Sequence, residues 1–277
     1  MFQRTLTPAA LLVLLFSFVA ASPRAQVTAA PEAVAAAVAA PMAVPATAPA
    51  ALPAPASVAT PAVATPATLA FAKGADGLSP KVLAMALDAV ACAKARGVSG
   101  RNDVLTVIDY SLPSTQPRLW VLDLAKGEVL FHELVAHGRG SGDNYATRFS
   151  NDMNSHQTSL GLFLTGGTYQ GGNGYSLKLK GLDKGVNDFA EERAIVMHGA
   201  WYVSAEQARS QGRLGRSWGC PALSEASAPK VITAIKGGSF VFSYAGTGDW
   251  YQKASSSLKA CPAAPNAGAG TTVSVAG

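Results

Sequence analysis

A proline-rich tract near the N-terminus sets the strongest limit on what this chain can fold into. Residues 26–70 are almost entirely Ala, Pro, Val and Thr, and Glu32 is their only charged residue. Proline is excluded from helix interiors and favours extended polyproline II segments. Such uniform side chains cannot bury enough apolar surface to offset the entropy of ordering the tract. We therefore predict a semi-extended linker over residues 23–70.

The segment before the linker has the features of a secretory signal peptide. Arg4 provides a positive start, residues 10–20 are apolar, and small residues follow at positions 20–22. The apolar run is too short for a stable membrane span, although an uncleaved anchor is the alternative. We predict a signal peptide over 1–22, no stable membrane insertion, and an exported protein in the periplasm or cell wall.

The remaining sequence predicts a single domain. Residues 262–277 are of low complexity, which leaves 71–261 as one domain with room for a hydrophobic core. The formal net charge is +5, and the basic residues are dispersed rather than clustered with aromatic residues. We therefore expect no nucleic-acid partner.

The cysteine count leaves at least one thiol unpaired. The chain has three cysteines, Cys92, Cys220 and Cys261. A bridge between Cys92 and Cys261 would join the two ends of the domain and contribute about 5 kcal/mol on the chain-entropy model. In the alternative, Cys92 is a small buried residue and Cys261 is a free thiol. In both cases Cys220 is the unpaired cysteine.

Hydrophobic patterning predicts many short strands and few helices. Ser79-Pro80 is a helix start, and Gly97 is a plausible stop. Further helices are expected over 204–210 and 224–235. The expected strands are 104–110, 119–124, 128–136, 160–165, 175–180, 194–197 and 239–244, with a Gly-rich loop over 166–174. The pattern predicts a mostly β fold, a mixed-sheet sandwich or barrel with a few short helices.

His198 is the histidine whose setting best suits catalysis. An apolar strand leads into it and Gly199 follows, and strand ends are where a scaffold presents reactive groups. His132 and His137 are more typical of structural or surface residues. His156 lies in a polar loop and could line a cleft.

The surroundings of Cys220 predict an activated thiol. Gly219 permits a sharp turn, so that the N–H groups of Gly219 and Cys220 could form an oxyanion hole. We expect Arg213, Arg216, a helix N-terminus and hydrogen-bonded His198 to favour the thiolate, with the Gly199 carbonyl orienting the imidazole. The alternative is a free buried cysteine with an unrelated histidine.

Two short motifs resemble the signature of the L,D-transpeptidases. These are Met197-His198-Gly199 and, after an interval, Ser217-Trp218-Gly219-Cys220. The wider sequence over 104–244 resembles the murein L,D-transpeptidase catalytic domain branch of that family, in the segments 149–151, 159–161, 175–177, 187–188, 193–197 and 215–221.

The resemblance implies the fold of the L,D-transpeptidase catalytic domain and its chemistry. Cys220 would be the nucleophile and His198 its base. Gly199 would orient that base, and Ser217 and Gly219 would shape the nucleophile loop. The implied reaction forms 3→3 cross-links between peptidoglycan stem peptides through a thioester, after release of D-Ala from a tetrapeptide. Carbapenems would inhibit it covalently, and no metal or organic cofactor is implied. The alternatives are an L,D-carboxypeptidase that trims tetrapeptides and a non-catalytic wall-binding protein.

The sequence departs from the common family pattern at two places. Pro221 and Ala222 follow the cysteine, where relatives usually have an aliphatic residue and then Arg. Arg213 and Arg216 are the candidates to hold the donor instead. The interval between His198 and Cys220 is also longer than usual. This suggests a distinct lid, with Trp218, Trp201 and Tyr169 lining the cleft or, alternatively, packing at its rim.

Overall fold

The computed structural model describes residues 75–247 and Trp250, together with the backbone of two short strands at 70–71 and 274–275. The predicted signal peptide, nearly all of the linker and Cys261 lie outside the described residues. Ala70–Phe71 (β1) pairs in parallel with Ser274–Val275 (β10), which lies in the segment predicted as a low-complexity tail. Within the described part of the chain, no helix has the length and apolar character needed to span a bilayer.

Eight strands form one mixed sheet in the spatial order β4-β3-β2-β9-β5-β6-β7-β8. The β2–β9 and β7–β8 pairs are parallel, and the other neighbours are antiparallel. The strands are β2 (Val104–Asp109), β3 (Leu119–Asp123), β4 (Glu128–Glu133), β5 (Gly161–Gly171), β6 (Gly174–Gly181), β7 (Val196–Gly199), β8 (Ala222–Leu223) and β9 (Phe240–Tyr244).

The chain just beyond β4 nearly closes this sheet into a barrel. The Ala136 N–H donates to the Ala222 carbonyl in β8 at 2.8 Å. The Ser217 N–H donates to the His137 carbonyl at 3.0 Å, and the Arg139 N–H donates to the Ser217 carbonyl at 2.8 Å. The segment that contains Cys220 is therefore held against the residues that follow β4, the strand at the other edge of the sheet.

Three helices complete the fold. The first, α1 (Pro80–Ala95), begins with proline at its first turn, where the missing N–H has no helical partner. It contacts β2, β5 and β9. In α2 (Ala205–Gln211), Ser204 caps the first turn by accepting the Gln207 N–H at 3.1 Å. The third, α3 (Ala228–Ile235), buries Val231, Ile232 and Ile235 against the sheet.

The mostly β, mixed-sheet, barrel-like fold predicted from the sequence is confirmed, with two local corrections. The Gly-rich segment 166–174 is largely strand, because β5 runs through Gly166 and Gly167 with a shift of register against β6. Cys220 is followed by β8 rather than directly by a helix, since α3 begins only at Ala228.

Candidate active site

Cys220 follows a tight turn that Ser217 braces with two hydrogen bonds. Ser217 Oγ donates to the Cys220 carbonyl at 2.6 Å and accepts the Gly219 N–H at 3.1 Å. Gly219 has a φ of +118°, and a Cβ at this position would lie 2.8 Å from the Gln157 carbonyl oxygen. The turn therefore requires both the serine hydroxyl and the glycine.

The two N–H groups predicted as an oxyanion hole have different roles. The Gly219 N–H is already bonded to Ser217 Oγ. The Cys220 N–H donates to no backbone carbonyl in the described part of the chain. It is also among the groups that lower the pKa of the Cys220 thiol, after the Val196 N–H and the charge of Arg193. The Cys220 N–H thus remains available to a developing oxyanion.

The thiol of Cys220 faces the start of β7. Cys220 Sγ accepts the Val196 N–H at 3.5 Å and donates to the Ala194 carbonyl at 3.7 Å. Ala194 itself has a φ of +54°, which is unusual for a residue other than glycine. Burial raises the pKa of the thiol, and the Val196 N–H and the charge of Arg193 only partly oppose this. The resting group is therefore the protonated thiol.

His198 lies within β7, which pairs with β8, and β8 is the strand that follows Cys220 in the chain. It pairs in register with Ala222, two residues beyond Cys220, and with Ser176 in β6. His198 Nδ1 lies 2.8 Å from the Gly199 carbonyl oxygen. This contact favours the tautomer with the proton on Nδ1, which leaves Nε2 as the proton acceptor.

The resting pair is neutral, in contrast to the predicted thiolate–imidazolium pair. Burial is the main cause that lowers the pKa of His198, and the Gly199 carbonyl partly opposes it. Burial therefore disfavours the charged form of both groups. No hydrogen bond joins the imidazole to the thiol among the described residues, so the predicted hydrogen bond is absent at rest. Catalytic hydrogen bonds are often long before substrate binds.

Arg193 is the cation that acts on the thiol, and sequence reasoning did not assign it that role. Its guanidinium donates to the carbonyls of Ser150 and Gln157, both at 2.6 Å, and to Ser155 Oγ at 3.1 Å. It also contacts Ser159 Oγ. The half-buried side chain thus links the 150–159 loop to the residues before β7. Its place in the resemblance, at the start of 193–197, was the available signal.

Arg213 and Arg216 are held on the loop around Asp143. Arg216 donates to Asp143 Oδ1 at 2.8 Å and to the Gly142 carbonyl at 2.9 Å. Arg213 lies 4.0 Å from the same carboxylate and donates to the Leu214 carbonyl at 2.9 Å. Neither side chain contributes to the pKa of Cys220. Their role in holding a donor stays a prediction.

The three predicted cleft aromatics occupy separate places. Trp218 is 67% exposed and stacks on His156 with 4.7 Å between ring centroids. Trp201 is 72% exposed and meets Tyr202 edge to face. Tyr169 in β5 pairs with Ser176, which pairs in turn with His198. Trp218 therefore belongs to the nucleophile loop itself, whereas Trp201 lies in the loop that follows β7.

A cavity of about 490 Å³ opens beside the imidazole. Its lining includes His198 and Gly199 from β7, Trp201 and Tyr202 from the following loop, and Glu225 from the turn before α3. The turn between β5 and β6 forms another wall, with Tyr175 at its end. Cys220 is not part of the described lining. The His198 imidazole thus borders a substrate-sized space.

A buried polar cluster supports the nucleophile loop from behind. Arg118 is fully buried and donates to the carbonyls of Leu112 and Val135 and to His137 Nδ1. Burial and the Arg118 charge lower the pKa of His137 to about 4. His137 therefore stays neutral and serves the structure, since its own carbonyl accepts the Ser217 N–H.

The described residues include one cysteine besides Cys220, which is Cys92. Cys220 is free, whereas Cys92 on α1 is disulfide-bonded. The placement of Cys261 lies outside the described residues, so the predicted Cys92–Cys261 pairing stays a prediction. No three His, Cys, Asp or Glu side chains come together as a potential metal site among the described residues.

Comparison with known proteins places this site in a family. A family model described as the L,D-transpeptidase catalytic domain matches residues 74–244. No curated protein matches the chain.

Several solved structures are similar over part of the chain. An L,D-transpeptidase from Mycobacterium smegmatis is 17% identical with a TM-score of 0.31, and the match covers 50% of this chain and 58% of that one. An L,D-transpeptidase from Stackebrandtia nassauensis is 17% identical with a TM-score of 0.32, over 58% of this chain and 66% of that one. The helical cell shape determining protein Pgp2 from Campylobacter jejuni is 14% identical with a TM-score of 0.31, over 58% and 54% respectively. This chain thus spans less than two thirds of each of these structures.

The family match includes the entire mixed sheet, the nucleophile loop and the strand with His198. Because it extends over more than half of the sequence, the chain belongs to the L,D-transpeptidase catalytic domain family.

Proposed function

We propose that the protein is a peptidoglycan L,D-transpeptidase that forms 3→3 cross-links with Cys220 as its nucleophile. One observation carries the proposal: Cys220 Sγ lies against the backbone of the strand that contains His198, and Gly199 orients that imidazole. Family membership supports peptidoglycan stem peptides as the substrate class. The predicted signal peptide would deliver the domain to the periplasm or cell wall.

The first half of the reaction acylates the cysteine. His198 Nε2 accepts the thiol proton as the sulfur attacks the carbonyl of the third residue of a stem tetrapeptide. Because both groups are neutral at rest, the proton moves only when substrate brings them together. The Cys220 N–H donates to the resulting oxyanion. The C–N bond then breaks, His198 returns the proton to the departing D-Ala, and a thioester remains.

The second half resolves the thioester. An amine of a neighbouring stem attacks the acyl carbon, the C–S bond breaks, and the cysteine regains a proton. If water attacks instead, the product is a trimmed tripeptide and the protein is an L,D-carboxypeptidase. The two activities share every residue of the acylation step, so only the products distinguish them.

Intact-mass spectrometry with a carbapenem tests the nucleophile. We expect one covalent adduct on the full chain, and no adduct on the Cys220→Ala variant. The His198→Gln variant should acylate far more slowly, because general-base assistance is typically worth about 100- to 10,000-fold. An adduct that persists in Cys220→Ala would refute the assignment. No adduct on the wild-type chain would favour a non-catalytic wall-binding protein.

Purified disaccharide tetrapeptides test the reaction type. Cross-linked dimer together with released D-Ala is the expected result. Tripeptide without any dimer would replace the transpeptidase proposal with the carboxypeptidase.

A further inference from the structure

The cavity beside His198 has one charged residue in its described lining, an acidic one that the acylation step does not use. Glu225 is the one acidic residue in its described lining, and no lysine or arginine lines it within the described chain. Hydrogen bonding with Thr168 and, to a smaller extent, the charge of Lys236 lower the pKa of Tyr175, and Glu225 remains the one formal charge in the described lining. The cavity therefore favours a positively charged ligand over an anionic one.

Glu225 is positioned next to the catalytic strand and has no partner of its own. A Cβ on Gly199 would lie 3.3 Å from Glu225 Cα and 3.8 Å from Glu225 Cγ, so this residue packs directly over the glycine that follows the base. The carboxylate makes no hydrogen bond or ion pair with any described residue. It is exposed to solvent in the resting structure and free to accept a cation.

Aromatic side chains form another part of the cavity wall. Trp201 and Tyr202 lie on one side with 5.8 Å between their ring centroids, and Tyr175 lies on another. Aromatic faces attract cations, and a nearby carboxylate adds to this attraction. A carboxylate, aromatic rings and a neutral imidazole around one space are the groups that would bind an ammonium ion and then deprotonate it.

We propose that this cavity is the acceptor site and that Glu225, with Trp201 and Tyr202, holds the ammonium group of the incoming stem peptide beside His198. The inference rests on the proposed transpeptidase function and deepens it. Glu225 is thus a specificity residue that favours an amine over water in the second half-reaction.

The chemistry of this step balances without any further reactant. His198 removes a proton from the ammonium, and the free amine nitrogen attacks the thioester carbon. The C–S bond breaks as the new C–N bond forms. One proton returns to the Cys220 sulfur, and the second is released to solvent.

Glu225→Gln in the full-length chain tests the acceptor role, with Glu128→Gln as the matched control. Glu128 is an exposed glutamate on β4 and lies outside the cavity lining. With disaccharide tetrapeptide as both donor and acceptor, we expect Glu225→Gln to lower the ratio of dimer to tripeptide by about fivefold to tenfold, as for the loss of one charge-assisted contact in a partly exposed site. Carbapenem acylation should stay within twofold of the wild type in both variants.

An unchanged dimer-to-tripeptide ratio in Glu225→Gln would overturn the inference. An equal loss of acylation and cross-linking would also overturn it, because the residue would then serve the donor step or the fold.

A binding measurement separates this inference from the proposed function. In the Cys220→Ser background, isothermal titration should show about fivefold tighter binding of a tripeptide muropeptide with a free side-chain amine than of its N-acetylated form, the scale of a single ion pair. Glu225→Gln should remove the difference. If the wild-type chain proves inactive but this preference holds, the ammonium site stands and the transpeptidase proposal fails. Equal binding of the two ligands refutes the ammonium site whether or not the chain is active.

Discussion

Replacing Arg193 with methionine should both loosen the 150–159 loop and weaken the nucleophile. The guanidinium donates to four oxygen atoms, those of Ser150, Ser155, Gln157 and Ser159. At about 1 kcal/mol for each hydrogen bond, their loss would amount to about 4 kcal/mol. The site is half-buried, so water can satisfy some of these oxygens. We therefore expect the free energy of unfolding to fall by about 2–3 kcal/mol.

The effect on the thiol has a different origin and can be measured separately. The positive charge of Arg193 lowers the pKa of Cys220 against the larger opposing effect of burial. Without that charge the pKa of the thiol rises further, so less thiolate is present at any given pH. The rate of iodoacetamide alkylation at Cys220, followed by peptide mass spectrometry from pH 6 to 10, should shift to higher pH in Arg193→Met.

Arg193→Lys separates the charge from the hydrogen bonds. Lysine keeps the positive charge but cannot reach four oxygens with a planar fork. Its alkylation profile should stay near that of the wild type, although much of the stability is lost. If the profile of Arg193→Met coincides with the wild type, the charge of Arg193 does not act on the thiol and the reasoning is wrong.

Two further predictions concern the nucleophile loop and its support. Gly219→Ala should add about 1–3 kcal/mol of backbone strain and abolish carbapenem acylation. The control is Gly167→Ala, where a Cβ would meet nothing within 4 Å, and this variant should acylate normally. Equal acylation rates for the two variants would show that the turn tolerates a side chain. His137 has a folded-state pKa of about 4 against an ordinary 6.5, so the unfolded chain binds its proton first, and stability should fall by about 3 kcal/mol as the pH decreases from 7 to 4. Urea unfolding should show a shallower pH dependence for His137→Asn, and identical slopes would contradict the burial of a neutral imidazole.

Local sequence signals predicted the elements whose ends are fixed by neighbouring residues. Ser79-Pro80 marked the start of α1, and Ser204 marked the cap of α2. The strands expected over 119–124 and 128–136 are joined by a short turn, as their spacing implied, and Asp123 holds it by accepting the N–H groups of Ala125 and Lys126. The Gly-rich segment of β5 was predicted as a loop. That prediction was wrong because the segment forms a strand by pairing with β6, which its own residue propensities do not indicate.

The sequence predicted which residues lie around the thiol better than it predicted their charges and hydrogen bonds. The motif indicated which residues would surround the thiol, but the electrostatics depend on contacts distant in sequence. Arg193 acts on Cys220 only because β7 lies beside the nucleophile loop. Arg216 is 73 residues from the Asp143 carboxylate that holds it, so its proximity to the cysteine in sequence was misleading. The neutral resting pair follows from burial, which a motif does not specify.

The pairing of the chain beyond β4 with the nucleophile segment has a consequence for when the protein becomes reactive. Ala136 and Ala222 are far apart in sequence, and contacts of this separation form late because a long loop must close first. The turn that positions Cys220 is anchored to that same closure through the His137 carbonyl. A nascent or partly unfolded chain therefore carries an ordinary cysteine, and the turn that sets Cys220 against β7 forms only when the sheet closes. The closed sheet, rather than the cysteine itself, therefore sets how the Cys220 thiol ionises at rest.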